Sequence, residues 1–181
     1  MQYTKQVAHQ LGVPENRVTY FGHSGAGFGA IHCATYHREA CALAINPILD
    51  IEQYKKYNFA NAMVGVFRPN AQFDELIRNY PERFSVMEAI RRTQNDRLKV
   101  CLGIIQNVFD THHYTKHFIP FCKSVGISRL GGADETGLIQ AQTCILRGGH
   151  SARPIDGLAE SLLLKLLFLR SQPENKKTKR A

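Results

Sequence analysis

The chain has 181 residues, of which 44% are apolar and 21% charged. That length and composition suit one folded domain with its own core and exclude disordered, collagenous and coiled-coil classes. The formal charge of +8 is uneven, because Arg170, Lys176, Lys177, Lys179 and Arg180 near the C-terminus face one acid, Glu174.

Residues 1–11 read as an amphipathic helix with Tyr3, Val7 and Leu11 on one face, stopped by Gly12 and Pro14. Arg17–Phe21 is short and β-rich, Gly22–Gly29 reads as a glycine-dense turn, and Ala26–Tyr36 as a helix of small residues. Ala42–Ile45 predicts a strand closed by Asn46-Pro47. Residues 50–97 mix charged and aromatic side chains around Pro69 and Pro81, which predicts two or three short helices and a helical cap insertion. The apolar run Leu98–Gln106 predicts a strand buried on both faces. Thr111–Val125 reads as a helix kinked or divided at Pro120, Gly131–Gly137 as a loop, and Leu138–Leu146 as a strand. A last helix runs from about Pro154, in its first turn, to Leu169. Strands alternating with helices predict an α/β fold, a mostly parallel sheet of about four strands with helices on both faces. The domain spans 1–170, and 171–181 is a basic disordered tail.

The most apolar stretch, Leu162–Leu169, is short and broken by Lys165, so no membrane span is expected. Met1–Gln10 lacks the apolar core of a signal peptide, and the expected location is the cytoplasm. Basic charge gathered on a tail, rather than on a folded face with aromatic residues, argues against nucleic acid as a partner. Cys33, Cys41, Cys101, Cys122 and Cys144 are odd in number and contain no CxxC, which fits small buried residues of a reducing compartment.

Arg17–Tyr36 carries the chemistry. A strand enters Gly22-His23-Ser24-Gly25-Ala26-Gly27 and a helix follows. A nucleophilic serine on a sharp strand-to-helix turn needs small residues two before and two after it, here Gly22 and Ala26. The helix N-terminus then offers the Gly25 N–H to an oxyanion. A phosphate loop and a purely structural turn are the alternatives. Gly25-x-Gly27-x-x-Ala30 is a tolerated dinucleotide pattern, but no Walker Lys-Ser/Thr follows.

The segment resembles the nucleophile elbow of the α/β-hydrolase superfamily, in which an acid and then a histidine follow the serine, each after a strand. Asp110 follows the strand ending at Gln106, and His150 follows the strand ending at Leu146 after Gly148-Gly149. The resemblance implies a serine hydrolase acting on an acyl ester, as an esterase or an acyltransferase. Its triad would be Ser24, Asp110 and His150, with an acyl-enzyme and an oxyanion donor at Gly25. No cofactor or metal is implied, and the partner is a small-molecule or glycan ester. Asn46-Pro47, Gln106-Asn107, His113-Tyr114 and His117–Phe121 also look like hydrolase-type proteins associated with bacterial surface-polysaccharide synthesis or export.

The resemblance covers the C-terminal part of that fold and lacks its N-terminal strands. It therefore implies a fragment of a longer enzyme, a partner that supplies the missing half, or a weak remnant; the fragment is favoured. The first sheet edge would be open, which leaves self-association or a partner strand available. A non-catalytic binding or assembly domain is the alternative function. Asp110 could instead be only a helix N-cap, and Asp134 is a rival acid that fits the order less well. His23 reads as a wall of the site. His113 and His117, four apart, could share a helix face as metal ligands or lie at the pocket rim with His112. His9, His32 and His37 carry no signal.

Overall fold

The computed structural model describes residues 2–37, 39–53, 72–95, 100–151 and 157–171. Leu98, Lys99, Pro154 and the expected tail after Ser171 lie outside these, as do 54–71 and 96–97 of the expected cap. The order is α1 (Gln2–Gln10), β1 (Thr19–His23), α2 (Ser24–Tyr36), β2 (Cys41–Ile45), α3 (Phe73–Asn79) and α4 (Val86–Asn95). Then come β3 (Cys101–Asn107), α5 (Thr111–His113), a π-helical segment (Tyr114–Phe118), α6 (Ile119–Ser124), β4 (Gly131–Ala133), β5 (Ile139–Cys144) and α7 (Leu158–Ser171).

The five described strands lie in the order β1-β2-β3-β5-β4. β1, β2, β3 and β5 are parallel, with Thr19 opposite Cys41, Cys41 opposite Cys101 and Leu102 opposite Ile139. β4 runs antiparallel to β5. This mostly parallel α/β architecture agrees with the sequence reading, but the sheet has one strand more than expected. Gly131–Ala133, expected within a loop, forms β4. Gly131 and Gly132 sit at φ 107° and 145°, and a Cβ on Gly131 would lie 2.8 Å from the Ala141 carbonyl oxygen. Only glycine brings that edge so close, and a three-residue strand built on glycine has no apolar alternation to announce it.

β2 and β3 are buried along their whole length. Their period of two splits the core cleanly. Ala42, Ala44, Leu102 and Ile104 meet Ile31 and Ala34 of α2, Val86 and Ile90 of α4, and Phe118 and Phe121. Leu43, Ile45 and Ile105 meet Leu162 of α7 on the opposite face, and Cys41 and Cys101 meet Leu166. Gly103 makes that second contact close, since a Cβ there would stand 2.8 Å from Leu166 Cδ1 and 3.0 Å from Leu162 Cδ2.

Several boundaries differ from expectation for identifiable reasons. The first strand lies two residues later, because Glu15–Arg17 forms a 3₁₀ turn after Pro14. Glu15 in that turn holds Lys5 and the buried His37, each at 2.9 Å. α2 begins at Ser24 rather than Ala26, so Gly25, Gly27 and Gly29 are helical and the expected glycine loop is absent. Thr111–Ser124 stays helical through a π turn immediately before Pro120, whose missing N–H removes a bond from the ladder. α1 stops at Gly12, φ 65°, as expected. Its buried residue is Ala8, however, and the expected apolar face leaves Tyr3 and Leu11 exposed. No helix among the described residues is long and apolar enough to cross a membrane.

Candidate functional site

The parallel strands β1, β3 and β5 deliver Ser24, Asp110 and His150 to their carboxyl ends, where open α/β sheets place their sites. β1 runs straight into α2. The turn between them is made by Ser24 at φ 53°, a left-handed conformation that a non-glycine residue adopts only under constraint. Gly22 permits it: a Cβ there would be driven into the Ala26 carbonyl and would lie 2.6 Å from the Gly27 nitrogen. Gly27 packs closely too, though less so, since its Cβ would be 3.0 Å from Pro47 Cβ. The loop after β2 supports the turn from outside, with Ile48 N–H donating to the Ser24 carbonyl at 3.1 Å. Gly25 is the second residue of α2, so its N–H belongs to the first-turn donors that lack an intrahelical acceptor.

Asp110 stands just past β3 and is 6% exposed. It is a helix cap and also the partner of two imidazoles. Its carboxylate caps α5, accepting from the His113 N–H at 3.4 Å, and it also accepts from two imidazoles. Oδ2 takes a short hydrogen bond from His150 Nδ1, and Oδ1 takes one from His113 Nδ1 at 3.0 Å. Burial alone would raise the Asp110 carboxyl. The bonds from His150 and His113 outweigh it and hold the group below the ordinary carboxylate value. An ionised Asp110 requires both imidazoles to present Nδ1–H, which leaves Nε2 of His150 as an acceptor.

His150 is 36% exposed and lies between two other rings. His113 stacks on it at 4.2 Å between centroids with 16° between planes, and His23 approaches from the Ser24 side at 4.5 Å. Burial pushes His113 and His23 down, favouring neutral rings. His117 follows at 5.2 Å from His113; it is 1% exposed, and its Nδ1 accepts from Leu49 N–H at 3.4 Å. Burial drives it down to about 3. No hydrogen bond joins the Ser24 hydroxyl to His150 among the described residues; the imidazole beside the serine, His23, makes the close approach instead.

The loop carrying His150 is clamped on both sides. Asn107 Nδ2 donates to the carbonyls of Leu146 and Gly149 at 2.9 and 2.7 Å, and its Oδ1 accepts from Leu146 N–H at 3.0 Å and Phe109 N–H at 3.2 Å. Asn46, at φ 42°, donates to the Ser151 carbonyl at 2.9 Å and accepts from Asn107 N–H at 2.7 Å and Gln106 Nε2 at 3.1 Å. The sequence reading noticed Asn46-Pro47 and Gln106-Asn107 without giving them a role, and it left His113 at the rim or on a metal. The signal for His113 was its place three residues after Asp110, one helical turn on.

Asp134 lies elsewhere, with its oxygens bonding Ile139 N–H at 2.9 Å and the Thr136 hydroxyl at 2.7 Å in the turn after β4. Among the described residues, Asp110, His113 and His150 are a group that could hold a metal ion: one donor atom of each lies within 4.8 Å of the others. Compared with known proteins, the chain matches no protein-family model, no curated protein and no solved structure.

Proposed function

We propose that this chain is a serine hydrolase of α/β-hydrolase type that acts on an acyl ester through an acyl-enzyme. The observation that carries the reading is the Asp110–His150 hydrogen bond, made between residues forty apart in the chain, at the same sheet end as a serine held at positive φ. Ser24 Oγ attacks the ester carbonyl and passes its proton to His150 Nε2. Asp110 holds the Nδ1–H side of His150 and stabilises the imidazolium. The Gly25 N–H supports the oxyanion. The acyl C–O bond breaks, and the departing alkoxide takes the proton from His150. Water, or a sugar hydroxyl in a transferase, then attacks the acyl-enzyme with His150 acting as base. The favoured substrate is a small-molecule or glycan ester, and the location read for it is the cytoplasm.

One observation favours a second reading, a non-catalytic binding or assembly domain: Ser24 and His150 are not hydrogen-bonded. Catalytic hydrogen bonds are often loose without substrate, so this weighs less than the Asp110–His150 pair. Labelling of the folded chain by a fluorophosphonate, abolished by Ser24→Ala and by His150→Ala, is the expected result. A folded wild-type chain that never labels would leave the binding domain.

A further inference from the structure

Two imidazoles sharing one buried carboxylate form a 2-His-1-carboxylate set that the hydrolase reading uses only in part. His113 and Asp110 are 8% and 6% exposed at the side chain, and His150 is 36% exposed, so an ion can enter from the His150 side. The donor atoms come from two places in the chain: Asp110 and His113 are one helical turn apart, and His150 arrives on the loop after β5. They lie within 4.8 Å of one another, and Asp110 Oδ1 is already 3.0 Å from His113 Nδ1. Around a tetrahedral ion bound at about 2.0–2.2 Å, such atoms stand roughly 3.4 Å apart, so the widest pair must close and one of the two stacked rings must turn out of the stack for both nitrogens to face the ion. The Asn46 and Asn107 clamps fix the backbone carrying His150, and His150, the more exposed of the two stacked rings, is the one with room to turn its nitrogen toward a shared ion.

We propose that Asp110, His113 and His150 form a binding site for a divalent transition-metal ion of the zinc class, and that occupancy switches the hydrolytic site off. Two neutral imidazoles and one carboxylate suit zinc or its neighbours in preference to calcium or magnesium, which favour all-oxygen sets. The step balances without net proton release from neutral rings. Each imidazole moves its proton from Nδ1 to Nε2, the two Nδ1–H···O bonds break, and three metal–ligand bonds form. The consequence lies at the far nitrogen. With Nε2 of His150 now carrying hydrogen, it has no lone pair to accept the Ser24 proton. The inhibition rests on the hydrolase reading, whereas metal binding stands on the geometry alone.

The test is competition between the full chain and a chromophoric chelator for Zn²⁺ at neutral pH, with circular dichroism to confirm folding. One equivalent of tight binding is expected, unchanged in Ser24→Ala and weakened by at least about tenfold in His150→Ala and Asp110→Asn. His150 is 36% exposed at the side chain, so its truncation leaves no buried cavity and the fold is expected to persist in His150→Ala. Co²⁺ in place of Zn²⁺ should give ligand-field bands without thiolate charge transfer. In wild type, Zn²⁺ should suppress fluorophosphonate labelling and EDTA should restore it. No binding to the folded chain, binding indifferent to both substitutions, or a thiolate spectrum would overturn the site. Zinc binding by a chain that never labels would keep the site and sink the hydrolase reading.

Discussion

Ser24 and Gly22 are two halves of one constraint. The serine accepts positive φ because Gly22 lets the strand and the helix cross at close range. Gly22→Ala puts a methyl into the Ala26 carbonyl, a backbone clash that no rotamer relieves. Urea denaturation should show a loss of about 3 kcal/mol or more. Ser24→Gly has the opposite sign. It removes left-handed strain and should stabilise the chain by about 1 kcal/mol while deleting the nucleophile, a gain that Ser24→Ala lacks. Asn107→Ala leaves two carbonyls and two N–H groups without their side-chain partner. It should cost about 1–3 kcal/mol and abolish fluorophosphonate labelling in the fraction that still folds.

At the scale of elements, the sheet and the α7 face form one packing unit. Gly103→Ala must push Leu162 and Leu166 aside and should cost about 1–3 kcal/mol in urea unfolding, with the site chemistry left intact. What the sequence made legible follows the same physics. β2 and β3 were readable because strands buried on both faces are written as unbroken apolar runs. β4 was unreadable because Gly131-Gly132-Ala133 pairs through backbone alone. The start of α2 is not legible because Gly25, Gly27 and Gly29 look like loop glycines, whereas Gly27 serves close approach to Gly22 and Pro47 and nothing crowds Gly29. Ser24, Asp110 and His150 could be picked out because each comes shortly after a strand: Ser24 directly after β1, Asp110 in the turn after β3 and His150 in the loop after β5. His113, Asn46 and Asn107 could not be assigned roles, since their partners depend on which loops meet at the sheet end.

For the whole molecule, acid is the sensitive direction. His117 is neutral in the fold, with its value lowered from 6.5 to about 3 by burial. The unfolded chain takes up that proton first, so stability is complete above pH 6.5 and falls as pH drops toward 3. The slope should approach about 1.4 kcal/mol per pH unit from this residue. Asp110 adds to the loss below the ordinary carboxylate value of 3.8, because its folded value is also depressed. The difference between urea midpoints at pH 7 and 4.5 should shrink in His117→Gln, which cannot be protonated and can still accept from Leu49 N–H, while the buried His32, lowered to about 4, and the lowered His23 and His113 keep part of it.

The two clamps on the His150 loop also set an order in time. Asn46 follows β2 and Asn107 ends β3, and both grip backbone on the far side of β5. His150 therefore reaches its place only after three strands have aligned, whereas the Ser24 turn needs only β1, α2 and the loop after β2. During refolding from urea, the helical signal of α2 should recover before any property that depends on His150. A chain halted midway would carry the Ser24 turn without His150 beside Asp110, so the side chains gathered at the sheet end are completed last.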